Sequence, residues 1–242
     1  MKLFASLLAT IVAAQAVQLP PNFKKCNRHQ PDFRGCLLDA ARFGATQLNR
    51  PYKELKMASL DPLYIPKIQA SVNTPLVNIS SDLTDCKFHN LVRVDIEKFD
   101  IDFEAKTLHL AAFWPELKSE CYFKIDGHML RNRVQGEGPS SAIYRKFKWT
   151  FDMTYEEAKR RNKTYVKPVT TSFDGKPESV FMDMGFLGID KEMGERINKI
   201  VNDNWSELYD DVKGYYLENA RDTWVQIMHG WFARLSLEEA FD

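Results

Sequence analysis

The side chains that could do chemistry are spread along this chain without the spacing that catalysis requires. The motifs of serine hydrolases, zinc proteases, phosphate-binding loops and dinucleotide-binding folds do not occur in the sequence. Gly136-Glu137-Gly138 lacks the following helix of a phosphate-binding loop and is better interpreted as a turn. Paired carboxylates such as Glu156-Glu157 lie in polar stretches, where nothing indicates the burial that would adapt them to acid–base catalysis. The sequence therefore predicts a protein that is not an enzyme and has no catalytic residues.

The residues that could hold a metal ion or recognise a charged partner are equally dispersed. The five histidines stand singly, and no cysteine or histidine pair has the spacing of a metal site. The 33 basic side chains balance 33 acidic ones, which gives no support for nucleic acid as a partner. We expect neither a metal nor a cofactor.

The first 16 residues have the pattern of a secretory signal peptide. Lys2 precedes an apolar run over residues 3–12, and Ala14-Gln15-Ala16 fits the small-x-small cleavage rule, with cleavage after Ala16 or, as second choice, after Ala14. A membrane anchor is the alternative, but about ten apolar residues are too few to cross a bilayer. We therefore predict a secreted protein with a signal peptide over residues 1–16 and a single domain over residues 17–242.

Four cysteines would meet an oxidising environment on this route and are expected to pair. Cys26 and Cys36 are close in sequence, which favours a local disulfide. Cys86 and Cys121 would then join two strands. Either pair could instead remain as buried thiols.

Three glycosylation sequons begin at Asn78, Asn162 and Asn204. Asn162 lies in a basic stretch that has the composition of a solvated turn and is the best of the three. Asn204 precedes Trp205 within a predicted helix and is the poorest.

The longest periodic stretch covers residues 189–235 and predicts one α-helix of some 45 residues. Apolar residues recur there at steps of three and four without a proline. Many charged residues lie between them, which excludes a stable membrane span. The apolar stripe could be a coiled-coil seam, but its large aromatic side chains are better suited to the face of a sheet.

Alternating patterns before this helix predict an antiparallel sheet. The clearest strand runs over residues 143–155, with Ile143, Arg145 and Phe147 to Tyr155 on one face. Separate strands are predicted over residues 77–88, 92–103, 108–114, 121–125, 165–173 and 178–186, with a bulge near Lys98. Asp126-Gly127 and Asp174-Gly175 have the composition of tight turns. A short helix is predicted over residues 37–48. The fold class is α+β: a strongly curved antiparallel sheet wrapped around a long C-terminal helix in an elongated molecule.

Several short motifs, in this order, resemble the insect juvenile hormone-binding and takeout family of tubular lipid-binding proteins. They are Leu19-Pro20, Cys26 and Cys36 before Leu37-Leu38-Asp39-Ala40, Leu60-Asp61-Pro62-Leu63, Tyr122-Phe123-Lys124-Ile125-Asp126-Gly127, Gly136-Glu137-Gly138, Met184-Gly185-Phe186-Leu187-Gly188, Asn202-Asp203-Asn204-Trp205 and the ending over residues 235–241. The resemblance covers nearly the whole chain after residue 18. It implies a secreted, monomeric carrier of small hydrophobic molecules with an internal tunnel, and it implies the first cysteine pair.

A terpenoid or fatty acid in such a tunnel would contact apolar side chains of the sheet and the helix. The candidate ligand-binding residues are Phe33, Leu38, Phe123, Ile125, Phe147, Trp149, Phe151, Met153, Trp205, Leu208, Trp224, Ile227 and Met228. A solid core requires the same residue types, so this alternative stays open. A hydroxyl of Tyr144, Tyr155, Tyr215 or Tyr216 could bind a polar group of the ligand. The competing function is an extracellular interaction module that binds another protein through the aromatic helix face.

Overall fold

The computed structural model describes residues 17–130 and 132–241, so the predicted signal peptide lies outside the described residues. Four helices and seven strands follow one another along the described chain. They are α1 (Phe33–Gln47), β1 (Leu63–Asn73), β2 (Val77–His89), β3 (Asp95–Asp102), β4 (Thr107–Met129), β5 (Asn132–Arg160), β6 (Lys163–Lys176), β7 (Ser179–Met184), α2 (Lys191–Asp203), α3 (Trp205–Arg234) and α4 (Leu237–Phe241).

All strand pairs are antiparallel, and two long strands hold the sheet together. The main order is β1-β2-β4-β5-β6. The 23 residues of β4 pair with β3 near one end and β2 near the other. The 29 residues of β5 pair in the same way with β6 and β7. The predicted α+β fold, a curved sheet with a long C-terminal helix, is confirmed.

Irregular pairing positions give the sheet its curvature. The register shifts between Ile96 and Lys98, which confirms the bulge predicted there. A second shift lies in β2 between Thr84 and Lys87, where Asp85 adopts a positive φ of 53°. Because bulges bend and twist a strand, they allow a sheet of such long strands to close around a helix.

The Asp-Gly dipeptides predicted as turns lie inside strands instead. Gly127 pairs with Val134 in the β4–β5 ladder, and Gly175 pairs with Trp149. Gly127 has a φ of 156°, and a Cβ there would overlap the carbonyl oxygen of Asn78 on the neighbouring strand. The glycine is therefore required by close approach of two strands rather than by a turn. Gly136 and Gly138, also predicted to form a turn, lie within β5. The two strands predicted over residues 108–114 and 121–125 are parts of one continuous strand, β4.

The C-terminal helix is interrupted once, so the prediction of a single helix of some 45 residues is wrong in this detail. Asn204, with φ −112° and ψ 18°, separates the 13 residues of α2 from the 30 residues of α3. Its side-chain amide donates to the carbonyl oxygen of Ile200 at 2.8 Å. Asparagine side chains that compete for backbone groups in this way disfavour a regular helix. The longer helix still extends about 45 Å.

Helix α2 covers the free edge of β7 with two asparagine side chains one turn apart. Asn202 accepts from the backbone nitrogen of Met182 at 2.8 Å and donates to its carbonyl oxygen at 2.7 Å. Asn198 makes the same pair of bonds to Met184, each at 3.0 Å. The two amides replace a further strand, which protects an edge that would otherwise expose unpaired backbone groups.

Both disulfide bonds are present in the structure. Cys26–Cys36 joins the chain before α1 to the first turn of that helix, and Cys86–Cys121 joins β2 to β4. Helix α1 begins four residues earlier than predicted, because Asp32 caps it by accepting from the backbone nitrogen of Gly35.

The predicted solvated turn at Asn162 is the hairpin between β5 and β6. Arg161 and Asn162 both have positive φ, 50° and 60°, as a tight hairpin turn requires. Asn162 and Asn78 are exposed, whereas Asn204 is half-buried. Glycosylation at these sequons remains a prediction.

Candidate ligand-binding site

The concave face of the sheet gathers six of the candidate residues into one apolar cluster. Phe147, Trp149, Phe151 and Met153 project from alternate positions of β5 and are all buried. The Trp149 ring lies between those of Trp114 and Phe173, with centroids 4.8 and 5.4 Å away. Leu38 of α1 and Trp224 of α3 pack against the same cluster. The sheet, the first helix and the long helix therefore meet around Trp149.

The remaining candidates lie in other parts of the fold. Phe123, Ile125 and Leu208 belong to a second cluster nearer α2, where Phe186 packs edge-on against Phe123 at 5.0 Å. Ile227 and Met228 belong to a third, beside Leu55, Met57 and Trp231. Phe33 forms a separate aromatic trio with Phe103 and Phe241. Trp205 is half-buried and joins none of these clusters.

A slip in the strand alternation changes which side chains of β5 point inward. The β4–β5 register stays constant through this region, but Pro115 and Lys146, which stand opposite each other between the Trp114–Phe147 and Glu116–Arg145 pairs, are not paired, and Lys146 has a φ of 45°. The predicted alternation placed Ile143 and Arg145 on the same face as Phe147. Instead, Arg145 is exposed and pairs with Glu116, while buried Ala142 and half-buried Tyr144 point inward. The prediction was wrong there because the inward and outward positions change phase at Lys146, where the backbone has a positive φ, and alternation alone does not reveal such a change.

This slip brings three tyrosine hydroxyls and a buried serine together between the first two clusters. Tyr144 receives a hydrogen bond from Ser119 of β4 and interacts electrostatically with Tyr216 and Tyr209 of α3. The Tyr209 hydroxyl donates to the carbonyl oxygen of Gly175 in β6 at 2.9 Å. The sequence carries no signal for Ser119 or Tyr209, because nothing in their immediate neighbourhood distinguishes them from surface residues.

Tyr216 combines two properties that rarely occur together. Its exposed fraction is 48 %, yet burial raises the pKa of its hydroxyl. It follows Tyr209 by about two helical turns and therefore lies on the same side of α3, the side that contacts β6. The Tyr216 side chain therefore lies on the side of α3 that faces the concave sheet.

The other two tyrosines proposed from the sequence are placed differently. Tyr155 is buried in the first cluster, and its hydroxyl donates to the carbonyl oxygen of Asp102 at 3.5 Å. Tyr215 is 39 % exposed on α3. Tyr144 and Tyr216 are therefore the better candidates for contact with a polar group of a ligand.

Alkaline titration is expected to separate the interior tyrosines from the rest. Burial raises the pKa of Tyr144 to about 12, opposed by the hydrogen bond from Ser119, and burial also raises the pKa of Tyr155 to about 12. Because these values lie above the ordinary value of 10.0, the neutral hydroxyls contribute stability that is present below pH 10 and lost as the pH rises through about 12. Tyrosinate absorbance should show a late phase that Tyr144→Phe reduces by one residue. A single transition of all nine tyrosines near pH 10 in the folded protein would contradict the burial of these groups.

Two surface clefts lie away from the candidate residues. One, of about 500 Å³, opens on the sheet beside the Cys86–Cys121 disulfide and is lined by Asp85, Glu120 and Tyr122. The other, of about 990 Å³, lies between residues 17–22 and Tyr52. None of the predicted ligand-binding residues lines either cleft.

The described residues contain no group of three or more side chains that could hold a metal ion. Two histidine–carboxylate pairs, His89–Glu120 and His109–Asp152, are 3.2 and 2.6 Å apart. Their side chains are between 31 and 54 % exposed, and we assign them no chemical role. Over the same residues, no helix has the length and apolar character needed to cross a membrane.

Two tryptophans of α3, Trp224 and Trp231, pack against the protein's own chain. Trp224 packs edge-on against Trp149 at 5.9 Å, and Trp231 packs against Phe23 at 5.1 Å and donates to the sulfur of Met57. The competing hypothesis, an interaction module, required these rings to face a partner. Both rings instead pack against side chains of the same chain.

The architecture and the apolar interior define a class in which a curved sheet encloses a long C-terminal helix. The model of the family described as Haemolymph juvenile hormone binding protein (JHBP) matches residues 5–242. The chain therefore belongs to the juvenile hormone-binding and takeout family.

A solved structure agrees with this assignment at the level of the fold. The crystal structure of Takeout 1 from Epiphyas postvittana has a TM-score of 0.78 and 14 % sequence identity, covering 90 % of this chain and 99 % of that one. Lipopolysaccharide binding protein matches at a TM-score of 0.36 and 12 % identity, covering 76 % of this chain and 38 % of that one, and this weak similarity carries no argument. No curated protein sequence matches the chain significantly.

Proposed function

We propose that the protein is a secreted, monomeric carrier of a small hydrophobic molecule, either a juvenile hormone-like terpenoid or a fatty acid. The observation that carries this proposal is Tyr216, which faces the concave interior and is nevertheless 48 % exposed. Accessible surface on an inward side chain requires unfilled space beside it. We propose that this space belongs to a ligand tunnel between α3 and the sheet, bounded by the apolar clusters around Trp149 and Phe123.

The apolar lining alone is sufficient for useful affinity. A ligand of about 16 carbons gains roughly 12 kcal/mol from burial at ~0.8 kcal/mol per methylene. Association costs at least ~4 kcal/mol. At the lowest cost, the difference of about 8 kcal/mol corresponds to a dissociation constant of about 1 μM. No charged recognition motif is therefore needed, and the hydroxyls of Tyr144 and Tyr216 could bind one polar group.

Four features support secretion and a monomeric state. The signal-peptide pattern over residues 1–16 and the two disulfide bonds fit an extracellular protein. The exposed sequons at Asn162 and Asn78 are compatible with glycosylation on that route. Trp224 and Trp231 pack within the chain, so these two rings are not available to a second copy.

The affinity of the delipidated protein for straight-chain ligands should increase with chain length. Each added methylene contributes ~0.8 kcal/mol, so the dissociation constant should fall about fourfold per carbon until the tunnel is filled. Displacement of a fluorescent polyene fatty acid by acids of increasing length measures this directly. A short-chain acid, which has little apolar surface, is the control. Equal affinity for short and long chains, or no binding by any of them, would contradict the proposed function.

A further inference from the structure

The indole N–H of Trp149 is a buried donor without an acceptor. Trp149 is 3 % exposed, and its Nε1 is the buried side-chain polar atom of the described residues that has no hydrogen-bond partner. Two other tryptophans of the same interior are satisfied: Trp114 donates to the carbonyl oxygen of Leu91 at 2.9 Å, and Trp231 donates to the sulfur of Met57. Buried indole N–H groups normally find such a partner, so an exception calls for an explanation.

The surroundings of Trp149 explain why its own fold cannot satisfy this donor. Trp114 and Phe173 stack on the two faces of the ring, and Trp224 approaches it edge-on. The side chains of Phe151 and Met153, its buried neighbours on the same face of β5, carry no oxygen that could accept. A phenylalanine here would also stack between aromatic rings and would leave no donor unpaired. Packing alone therefore does not account for the indole nitrogen.

We infer that the Trp149 N–H binds an uncharged acceptor oxygen of the ligand, such as the oxygen of an ester, ketone or epoxide. This inference rests on the proposed carrier function and specifies the ligand class. Trp224 is half-buried, whereas Trp149 is fully packed, so Trp224 is the ring that moves aside to admit the oxygen.

The same environment disfavours other polar groups. A carboxylate would be desolvated among aromatic rings without a cation. A hydroxyl could accept from the indole, but its own proton would then lack an acceptor. A hydrocarbon would leave the Trp149 donor unpaired. A neutral acceptor oxygen is the group that satisfies the donor and introduces no new unpaired one.

The experiment compares a long-chain methyl ketone with the alkane of the same carbon number. Both are bound to the delipidated, secreted full-length protein and to Trp149→Phe. We expect Trp149→Phe to weaken ketone binding about tenfold and to change alkane binding less than twofold, as the loss of one hydrogen bond predicts. Trp114→Phe is the matched control, because it removes an N–H that already has a partner in the fold, and it should affect the two ligands equally.

Each outcome distinguishes the inference from the proposed function. If wild type binds both ligands and Trp149→Phe changes both equally, the inference is overturned while the carrier function stands. If wild type binds neither ligand, the proposed function fails and the inference fails with it. Should Trp149→Phe not fold, nitrogen-15 spectra of the indole groups in wild type decide the matter. The resonance of the Trp149 indole N–H proton must shift downfield when the ketone is added and not when the alkane is added. Equal shifts with the two ligands overturn the inference.

Discussion

Replacing Gly230 by alanine is expected to destabilise the protein by about 3 kcal/mol or more. Gly230 is buried in α3 where the helix crosses the segment around Leu55, which is 0 % exposed. A Cβ on Gly230 would overlap the carbonyl oxygen of Leu55 and lie 2.9 Å from its carbonyl carbon. Because the obstacle is backbone within a packed core, the helix must move away, at the cost of overpacking. Urea unfolding followed by circular dichroism measures the loss.

Gly214 of the same helix is the matched control for this prediction. A Cβ there would meet nothing within 4 Å. Alanine at an exposed position within a helix is favoured over glycine by about 1 kcal/mol, so Gly214→Ala should stabilise the protein. The same substitution is thus expected to have opposite signs sixteen residues apart in one helix. Equal stabilisation of both variants would contradict the close contact between Gly230 of α3 and the backbone of Leu55.

Ala220→Trp is expected to reduce ligand affinity about a hundredfold while the protein remains folded. Ala220 is half-buried and lies one helical turn from Tyr216 and one from Trp224. An indole at this position would fill the proposed space beside Tyr216. Loss of contact with three to four methylenes, at ~0.8 kcal/mol each, corresponds to this factor. The displacement assay with a long-chain fatty acid measures the change, and a thermal melt verifies folding.

Gly214→Trp is the control for the size and chemistry of the new side chain. Residue 214 lies two positions before Tyr216, which places it about 200° around the helix and therefore on the opposite side. It is exposed, so the same indole there should leave ligand affinity unchanged. Equal loss of affinity in both variants would point to a general disturbance of α3, and equal retention would mean that Ala220 does not border the ligand.

The sequence predicted the architecture because its signals were repeated over many residues. The helical period over residues 189–235 and the alternation from Phe147 to Tyr155 each extend over several turns or repeats, so single exceptions do not obscure them. The bulge near Lys98 could be predicted because the alternation changes phase on its two sides. The phase change at Lys146 is not predictable in this way, because apolar Ile143 continues the alternation of Phe147 to Tyr155.

The roles of individual glycines and asparagines cannot be predicted in the same way, because each of these residue types occurs in several backbone geometries. Gly127 and Gly175 have the composition of turns, but each lies where a neighbouring strand passes too close for a side chain. Asn204 looked like an ordinary helix position, yet its amide competes for the carbonyl oxygen of Ile200 and ends α2. Such choices depend on tertiary neighbours that the local sequence does not contain.

The candidate site was predictable only as a set of residue types. Phe147, Trp149, Phe151 and Met153 lie together on the concave face, but a solid core would use the same residues. Phe123 and Ile227 belong to other clusters, because β4 and α3 are long enough for their residues to reach several clusters. The interior position of Tyr216 depends on the direction of α3 relative to the sheet, which periodicity does not determine.

Native mass spectrometry of the protein secreted by a eukaryotic host tests the carrier hypothesis most directly. We predict a species heavier than the polypeptide with its glycans by the mass of one small hydrophobic molecule. Organic extraction should remove that mass, and added long-chain ketone or fatty acid should restore it in wild type but not in Ala220→Trp. A single apo mass before extraction, together with no uptake of either ligand afterwards, would contradict the presence of a ligand tunnel beside Tyr216.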